Sequence, residues 1–376
     1  MYITRYQETH ILNDVERTNQ IIIIYGARQV GKTTMIKHVL QKIDGKTLEI
    51  NAEELKYHSV LSNQDLSKMK ELVAGYDILF IDEAQKINNI GINIKILHDA
   101  MPTLKIILSG SSSFDLANKL QEPLTGRTKT YMLYPIGFCE LQNLYNSFEL
   151  KQKLEEFLVL GAYPRLLHIE GRENKTSHLK ELSGAYLYKD ILELANVKHS
   201  NKLYSLLRLL AFQVGSLVSI HELSNSLELS SETVERYIDL LEKSFVITRL
   251  SGFSKNLRKE ISKRDKIYFY DLGIRNAIIN NFETLTDRTD VGQLWENFLV
   301  TERLKANENN QNYVNRYFWR TYTGAELDYV EEKGGKLYGF EFKFGTKKQK
   351  IPKTWIEIYS QENKVINKEN YIDFIT

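Results

Sequence analysis

The sequence predicts an α/β architecture: a parallel sheet covered on both faces by helices, then a mainly helical stretch, then a second region of alternating strands. Three observations predict it. Residues 1–140 interleave short, continuous apolar runs with segments of helical period, the pattern of parallel strands buried on both faces. From about 150 to 200 the pattern turns helical, broken by Gly161 and Pro164. Near the carboxyl end, apolar and polar residues alternate on either side of Gly334-Gly335, as in a hairpin.

In chain order, strands are expected at 21–25, 47–50, 78–81, 105–109 and 130–133, with helices at 33–41, 63–72 and 92–100 between them. Residues 174–195 carry Tyr, Leu and Ile at helical spacing. Three helical runs and a hairpin fill 203–273. A helix is expected at 292–305, followed by strands in "YFWRTY", "AELDYV" and "LYGFEFKF".

The bulk numbers bound the function. A chain of 376 residues is too long for one ordinary core and implies roughly two to four domains. Hydrophobic residues make up 42% and charged residues 26%, the balance of a globular chain. The net charge of +2 gives no global basic excess, so any nucleic-acid surface has to be local. The single cysteine, Cys139, excludes an internal disulfide framework, fits a reducing compartment and reads as a small core residue. The first residues lack the apolar core of a secretory leader. The longest apolar runs, such as 21–25, fall far short of the ~20 residues that cross a bilayer. These features predict a soluble cytoplasmic protein with no membrane partner.

The stretch "IIIIYGARQVGKTT" carries the first chemistry. It matches G-x-x-x-x-G-K-[ST] at Gly26, Gly31, Lys32 and Thr33, with an apolar strand before it and a helix after. Gly26 ends the strand in a turn that a side chain would crowd, and Gly31 lets the backbone close around an anion. The backbone of Gly26, Ala27, Arg28, Gln29, Val30, Gly31, Lys32, Thr33 and Thr34 then surrounds the phosphates of ATP at a helix N-terminus. Lys32 supplies positive charge to the β and γ oxygens, and the Thr33 hydroxyl coordinates Mg²⁺. In "YDILFIDEAQ" an apolar strand ends in Asp82-Glu83. Asp82 can hold Mg²⁺ through water, and Glu83 can polarise the attacking water, a pairing that suits hydrolysis.

Two further readings stay open at this point. In "LKIILSGSSSF", Ser109, Ser111 and Ser112 either contact the γ-phosphate or its water, or form a turn that caps a helix at Phe114. Arg127, in "LTGRTKTY", is either a finger reaching a phosphate of its own or a neighbouring subunit of a homo-oligomer, or a loop arginine paired with a carboxylate.

With these residues in view, "IIIIYGARQVGKTT", "ILFIDEAQ", "IILSGSSS" and "LTGRTKTYMLYPIGFCE" resemble the bacterial and archaeal AAA-type ATPases of the additional-strand P-loop class. The later "GAYPRLL", "IYFYDLGIRNA", "GQLWENFLVTE" and "WRTYTGAELDYVEEKGGKLYGFEFK" are similar to the C-terminal region of the same family. The resemblance implies an ATPase followed by a winged-helix module and a C-terminal domain of uncharacterised role.

Residues 219–250 have helix-turn-helix grammar: Ile220, Leu223 and Leu227 form one apolar face, and Val234, Tyr237, Ile238 and Leu241 the next. Thr233 and Arg236 are available for a groove. The hairpin after them, 255–266, carries Lys255, Arg258, Lys259, Lys263, Arg264 and Lys266 against Glu260 and Asp265. It suits DNA phosphates, or it is a solvated hairpin on a protein-interaction module, since the second helix also carries Glu232 and Glu235.

In "AELDYVEEKGGKLYGFEFKFG", Glu341 and Lys343 are two apart and share one face of a strand, and a hairpin can bring Asp328 beside them. Glu296, on the preceding helix, completes a set that resembles the PD-(D/E)xK restriction-endonuclease-like fold, although no proline precedes Asp328. The resemblance implies Glu296, Asp328 and Glu341 as metal ligands, with Lys343 orienting or deprotonating the attacking water. An amphipathic hairpin or a nuclease fold that no longer cuts accounts for the same letters.

The expected organisation is therefore an AAA-type P-loop ATPase at 1–140, a helical lid at 141–200, a winged helix-turn-helix at 201–280 and a PD-(D/E)xK-like α+β domain at 281–376. The expected cofactors are ATP and Mg²⁺. An ATP-controlled protein-interaction switch that neither binds DNA nor cuts it is the alternative.

Overall fold

The computed structural model of the protein describes residues 2–110, 124–185, 200–254, 264–345, 350–359 and 362–376. Two compact units emerge: Tyr2–Pro135 with Lys243–Phe245, and Ile136–Glu242 with Val246–Thr376.

The first unit is built on a five-stranded sheet in the order β2-β3-β4-β1-β5. The strands are β1 (Ile21–Tyr25), β2 (Thr47–Asn51), β3 (Ile78–Asp82), β4 (Lys105–Gly110) and β5 (Thr128–Met132), and all pair in parallel. Every residue of β1 is buried. That is why its sequence is uniformly apolar: as a central strand it has no solvent face on which to alternate. β4 lies between β1 and β3, so the acidic strand is next but one to the phosphate-loop strand rather than beside it.

The helices sit close to their expected places. Lys32–Leu40 and Ile90–Ala100 differ from expectation by one or two residues at their ends. The helix expected from 63 begins instead at Leu66, because the Asp65 carboxylate accepts the Ser67 and Lys68 N–H groups and caps it there. The N-terminal segment, for which no element was expected, forms the helix Tyr6–Arg17.

The second unit opens with the helices Phe138–Leu141, Ser147–Leu160, Arg172–Ala185 and Ser200–Phe212. Two helices joined by a short turn follow, Ile220–Leu227 and Ser231–Lys243. Ser219 caps the first helix by accepting the Glu222 N–H, and Ser230 accepts the Thr233 N–H at the second. The next strands, β6 (Ile247–Gly252) and β7 (Asp265–Phe269), pair antiparallel.

Those two strands join the C-terminal strands in one sheet. β8 (Asn315–Arg320), β9 (Glu326–Lys333), β10 (Lys336–Phe342) and β11 (Asn363–Ile366) complete the order β11-β10-β9-β8-β6-β7. The join is a short parallel pairing of Ser251 with Tyr317 and Gly252 with Phe318. It covers what would otherwise be an open edge of β6. Spacing along the chain gave no sign of it, since the paired residues lie far apart in sequence. The long helix Val291–Asn309 packs against this sheet. Trp355 and Tyr359, from the helix Lys353–Tyr359, form a separate aromatic core with Phe253 and Trp319.

Two of the quoted segments meet inside this unit. The Asp271 carboxylate, in "IYFYDLGIRNA", accepts the N–H of Ala162, in "GAYPRLL", at 2.8 Å and that of Ile274 at 3.0 Å. These letters are therefore structural. Cys139 is buried, and burial pushes its thiol up to about 12, as suits a core residue.

Candidate functional site

The phosphate loop is fixed by sterics before any ligand is considered. A Cβ on Gly26 would lie 2.1 Å from the Leu133 carbonyl oxygen, so only glycine fits where the loop passes that strand end. Gly31 stands at φ 96° as the residue before the helix Lys32–Leu40, a left-handed position natural to glycine. Ala27 and Val30 bury their side chains, while Arg28 is half-buried and Gln29 and Thr34 are exposed. Ala27 and Val30 can thus serve a phosphate only through their backbone.

The reactive side chains converge at the head of that helix. Lys32 is only 5% exposed, with its Nζ 2.8 Å from the carbonyl oxygens of both Gly26 and Ala27. Thr33 Oγ1 donates to Asp82 Oδ2 at 2.7 Å. The other oxygen of Asp82 accepts the Ser109 hydroxyl and, at 3.2 Å, the Glu83 N–H. Ser109 thus touches the acidic strand end from β4, whereas Ser111 and Ser112 lie outside the described residues. A hydroxyl and a carboxylate 2.7 Å apart at a helix N-terminus are the hard oxygen donors that Mg²⁺ prefers.

Glu83 has φ 53°, a left-handed conformation that a non-glycine residue adopts at some cost, and such outliers cluster at functional sites. Its Oε2 accepts the Gln85 side-chain N–H at 2.5 Å. Sequence reasoning missed Gln85, which holds the carboxylate in one orientation.

Arg127 is placed elsewhere. Its carbonyl accepts the Ile21 N–H, at the end of β1 opposite the loop. With five residues in β1, that is roughly 16 Å along the strand at about 3.3 Å per residue. Its guanidinium forms a two-point contact with Asp99, at 2.8 and 3.2 Å, and holds that carboxyl below its ordinary range. Of the two readings, this register and the pairing with Asp99 favour the loop arginine within one chain.

A second polar cluster lies in the second unit. Glu296 projects from the helix Val291–Asn309, Asp328 from β9 and Glu341 from β10, with Lys343 just beyond. The missed residue here is Lys266, read from sequence as part of a basic hairpin. It is 3% exposed, and its ammonium lies 2.8 Å from Glu296 Oε1 and 2.6 Å from Glu326 Oε1. The Tyr268 hydroxyl donates to the same Glu296 oxygen at 2.7 Å. Asp328 Oδ2 accepts the Phe342 N–H at 2.7 Å, and Lys343 stands 3.4 Å from Glu341.

Among the described residues, no three histidine, cysteine or carboxylate side chains are grouped to hold a metal ion. Glu296, Asp328 and Glu341 influence one another electrostatically, yet the structure does not assemble them as an ion shell. Burial, then the charges of Glu296 and Glu341, push Asp328 up to about 8 against the pull of Lys266. Burial also raises Glu341, against Lys343. Lys266 is lowered by burial but raised overall by Glu296, Glu326 and Asp328. Of the expected basic hairpin, 255–263 lie outside the described residues, and Lys266 faces carboxylates rather than solvent. On the helix Ser231–Lys243, Glu232, Glu235 and Arg236 are all exposed.

Residues 18–142 match the family model described as an AAA domain. Residues 151–285 and 291–373 each match a model described as a domain of unknown function. The chain is 27% identical over 327 residues to an uncharacterized protein of Mycobacterium tuberculosis, covering 86% of this chain and 70% of that one. It is 26% identical over 320 residues to an uncharacterized protein of Methanocaldococcus jannaschii, covering 79% and 70%. Among solved structures, the Walker-type ATPase of Pyrococcus abyssi superposes with a TM-score of 0.52 at 15% identity, covering 74% of this chain and 96% of that one. The domain match and the likeness in fold support a P-loop ATPase fold for the first unit. Among the described residues, no helix is long and apolar enough to cross a membrane.

Proposed function

We propose that the protein binds and hydrolyses ATP in its first unit and uses the cycle to control its second. The observation that carries this reading is the contact of Thr33 with Asp82 at the head of the helix that also presents Lys32, with Glu83 one residue further on. The first N–H groups of that helix have no intrahelical partners and favour an anion. Lys32 turns from the loop carbonyls to the β and γ oxygens of ATP. Thr33 and Asp82 would hold Mg²⁺, which would supply neutralising charge to the phosphates. Glu83 accepts the proton of the attacking water. Steady-state ATP hydrolysis by the native protein, Lys32→Ala and Glu83→Gln tests the assignment. Turnover by Lys32→Ala equal to native would overturn it.

For the second unit, the reading is a winged helix-turn-helix on a nuclease-like sheet. DNA binding through the helix Ser231–Lys243 and the basic residues of 255–266 predicts salt-sensitive association with duplex DNA. Fluorescence anisotropy at two salt concentrations, on native protein and on a variant neutralised at Lys255, Arg258 and Lys259, reads it directly. The position of Lys266 favours the alternative for the sheet, a nuclease-like domain that does not cut and grips a partner instead. Mg²⁺- or Mn²⁺-dependent nicking that disappears in Asp328→Ala would restore the cutting reading.

A further inference from the structure

The N-terminal segment reaches the phosphate loop through one buried arginine. Arg5 is 5% exposed. Its Nη1 donates to the Val30 carbonyl at 2.9 Å, and its Nη2 donates to the Tyr134 carbonyl at 2.7 Å. Val30 is inside the loop, directly before Gly31. Tyr134 follows Leu133, whose carbonyl packs against Gly26 at the loop's other end. The loop is thus braced at both ends on the same piece of backbone, by direct contact at Gly26 and through Arg5 at Val30.

The segment that carries Arg5 is itself pinned. Tyr2 stacks on His38 of the loop's helix, with centroids 3.6 Å apart and planes 8° from parallel. The Glu8 carboxylate accepts the Tyr2 hydroxyl at 2.6 Å, the Arg5 N–H at 2.8 Å and the Lys42 ammonium at 3.1 Å. The guanidinium is rigid and planar, and its fork reaches acceptors on two separate segments through two different nitrogens, where a lysine offers a single ammonium nitrogen.

Phosphate binding requires the loop's N–H groups to face inward, which requires its carbonyls to be held outward. A carbonyl flipped inward sets a partial negative charge against the phosphates. We propose that Arg5 is a positioning residue of the nucleotide site: by holding the Val30 carbonyl, it keeps the adjoining N–H groups turned to the triphosphate. This rests on the ATP reading above and adds to it a residue that lies 21 positions before the G-x-x-x-x-G-K-T signature begins.

The experiment measures binding of a fluorescent ATP analogue with Mg²⁺, together with kcat and KM, on native protein, Arg5→Met and Arg5→Lys. Melting without nucleotide is followed in parallel. Arg5→Met is expected to weaken nucleotide binding by about tenfold or more, the scale of one charge-assisted hydrogen bond. Arg5→Lys, able to hold one carbonyl, is expected to raise KM several-fold. Methylguanidinium added to Arg5→Met is expected to recover part of the affinity. A melting point lowered in Arg5→Met with affinity within twofold of native assigns Arg5 a merely structural role and overturns the proposal. Should Arg5→Met fail to fold, an unchanged KM in Arg5→Lys overturns it as well. A native protein that binds no nucleotide sinks the ATP reading instead, so the two failures are distinguishable.

Discussion

Each unit buries a lysine almost completely, Lys32 at 5% exposed and Lys266 at 3%, but what holds the two ammonium groups differs. Lys32 is held by the carbonyl oxygens of Gly26 and Ala27, which are dipoles. Dipoles stabilise a charge without cancelling it, so such a lysine can still attract a polyanion. Lys266 is held by the carboxylates of Glu296 and Glu326, which cancel its charge. A divalent cation approaching that cluster meets an ammonium already in place. Burial of a lysine therefore says little about its role, and the chemistry of its partners says much more.

Breaking the first half of this contrast should produce the largest effects. Lys32→Ala removes the ammonium from the loop and is expected to weaken binding of a fluorescent ATP analogue by about 100-fold or more. Glu83→Gln keeps the shape and the contact with Gln85 but cannot accept a proton. Nucleotide affinity should hold, while single-turnover hydrolysis falls by about 10²- to 10⁴-fold. Affinity retained in Lys32→Ala would erase the distinction between the two lysines.

The second half predicts changes in stability. Lys266→Met leaves half-buried carboxylates without their counter-ion, a loss of up to about 3 kcal/mol, visible as a lower urea midpoint. Adding Glu326→Gln should recover part of it. A midpoint unmoved by Lys266→Met would show that the carboxylates find solvent or another cation. The same cluster sets a pH trend. Asp328 is pushed up to about 8 from the ordinary 3.8, so between those values the folded protein binds a proton that the unfolded chain has released. Its contribution to stability is therefore largest below the ordinary value and is lost as pH rises towards 8. Asp328→Asn should flatten the fall in urea midpoint over that range.

The placement of Lys32, Thr33, Asp82 and Glu83 is legible in the sequence because each sits at a strand end or helix start that local rules fix. Arg5, Gln85 and Lys266 were not legible, for three different reasons. Arg5 acts across 25 and 129 positions, and no local period reports which carbonyls a distant guanidinium will meet. Gln85 is two residues from Glu83, but only the left-handed turn at Glu83 brings their side chains together. Composition alone groups Lys266 with a basic hairpin. Strand alternation tells which residues share a face, and only the packing of β7 against the helix carrying Glu296 tells what that face meets. For the same reason Asp328 and Glu341 were placed on neighbouring strands correctly, while the lysine among them went unseen.

Arg127 offers the smallest expected effect and the finest test of the first site. The sequence offers it as a finger or as a loop arginine, and the register of β1 sets it at the far end of the strand from the loop, paired with Asp99. An exposed pair of this kind adds little to stability. Within one chain, Arg127→Ala should leave nucleotide affinity within about twofold of native, since no charge near the phosphates is removed. Hydrolysis should follow the same rule when the protein is dilute. If copies associate so that Arg127 of one approaches the phosphates of another, the variant loses turnover only as concentration rises, because a finger supplied in trans acts only in the assembled state. ATPase rate per chain, measured across a concentration series for native protein and Arg127→Ala, separates the cases. Parallel curves leave Arg127 a surface residue, curves that diverge with concentration make it a trans finger, and an equal drop at every concentration would contradict the strand register itself.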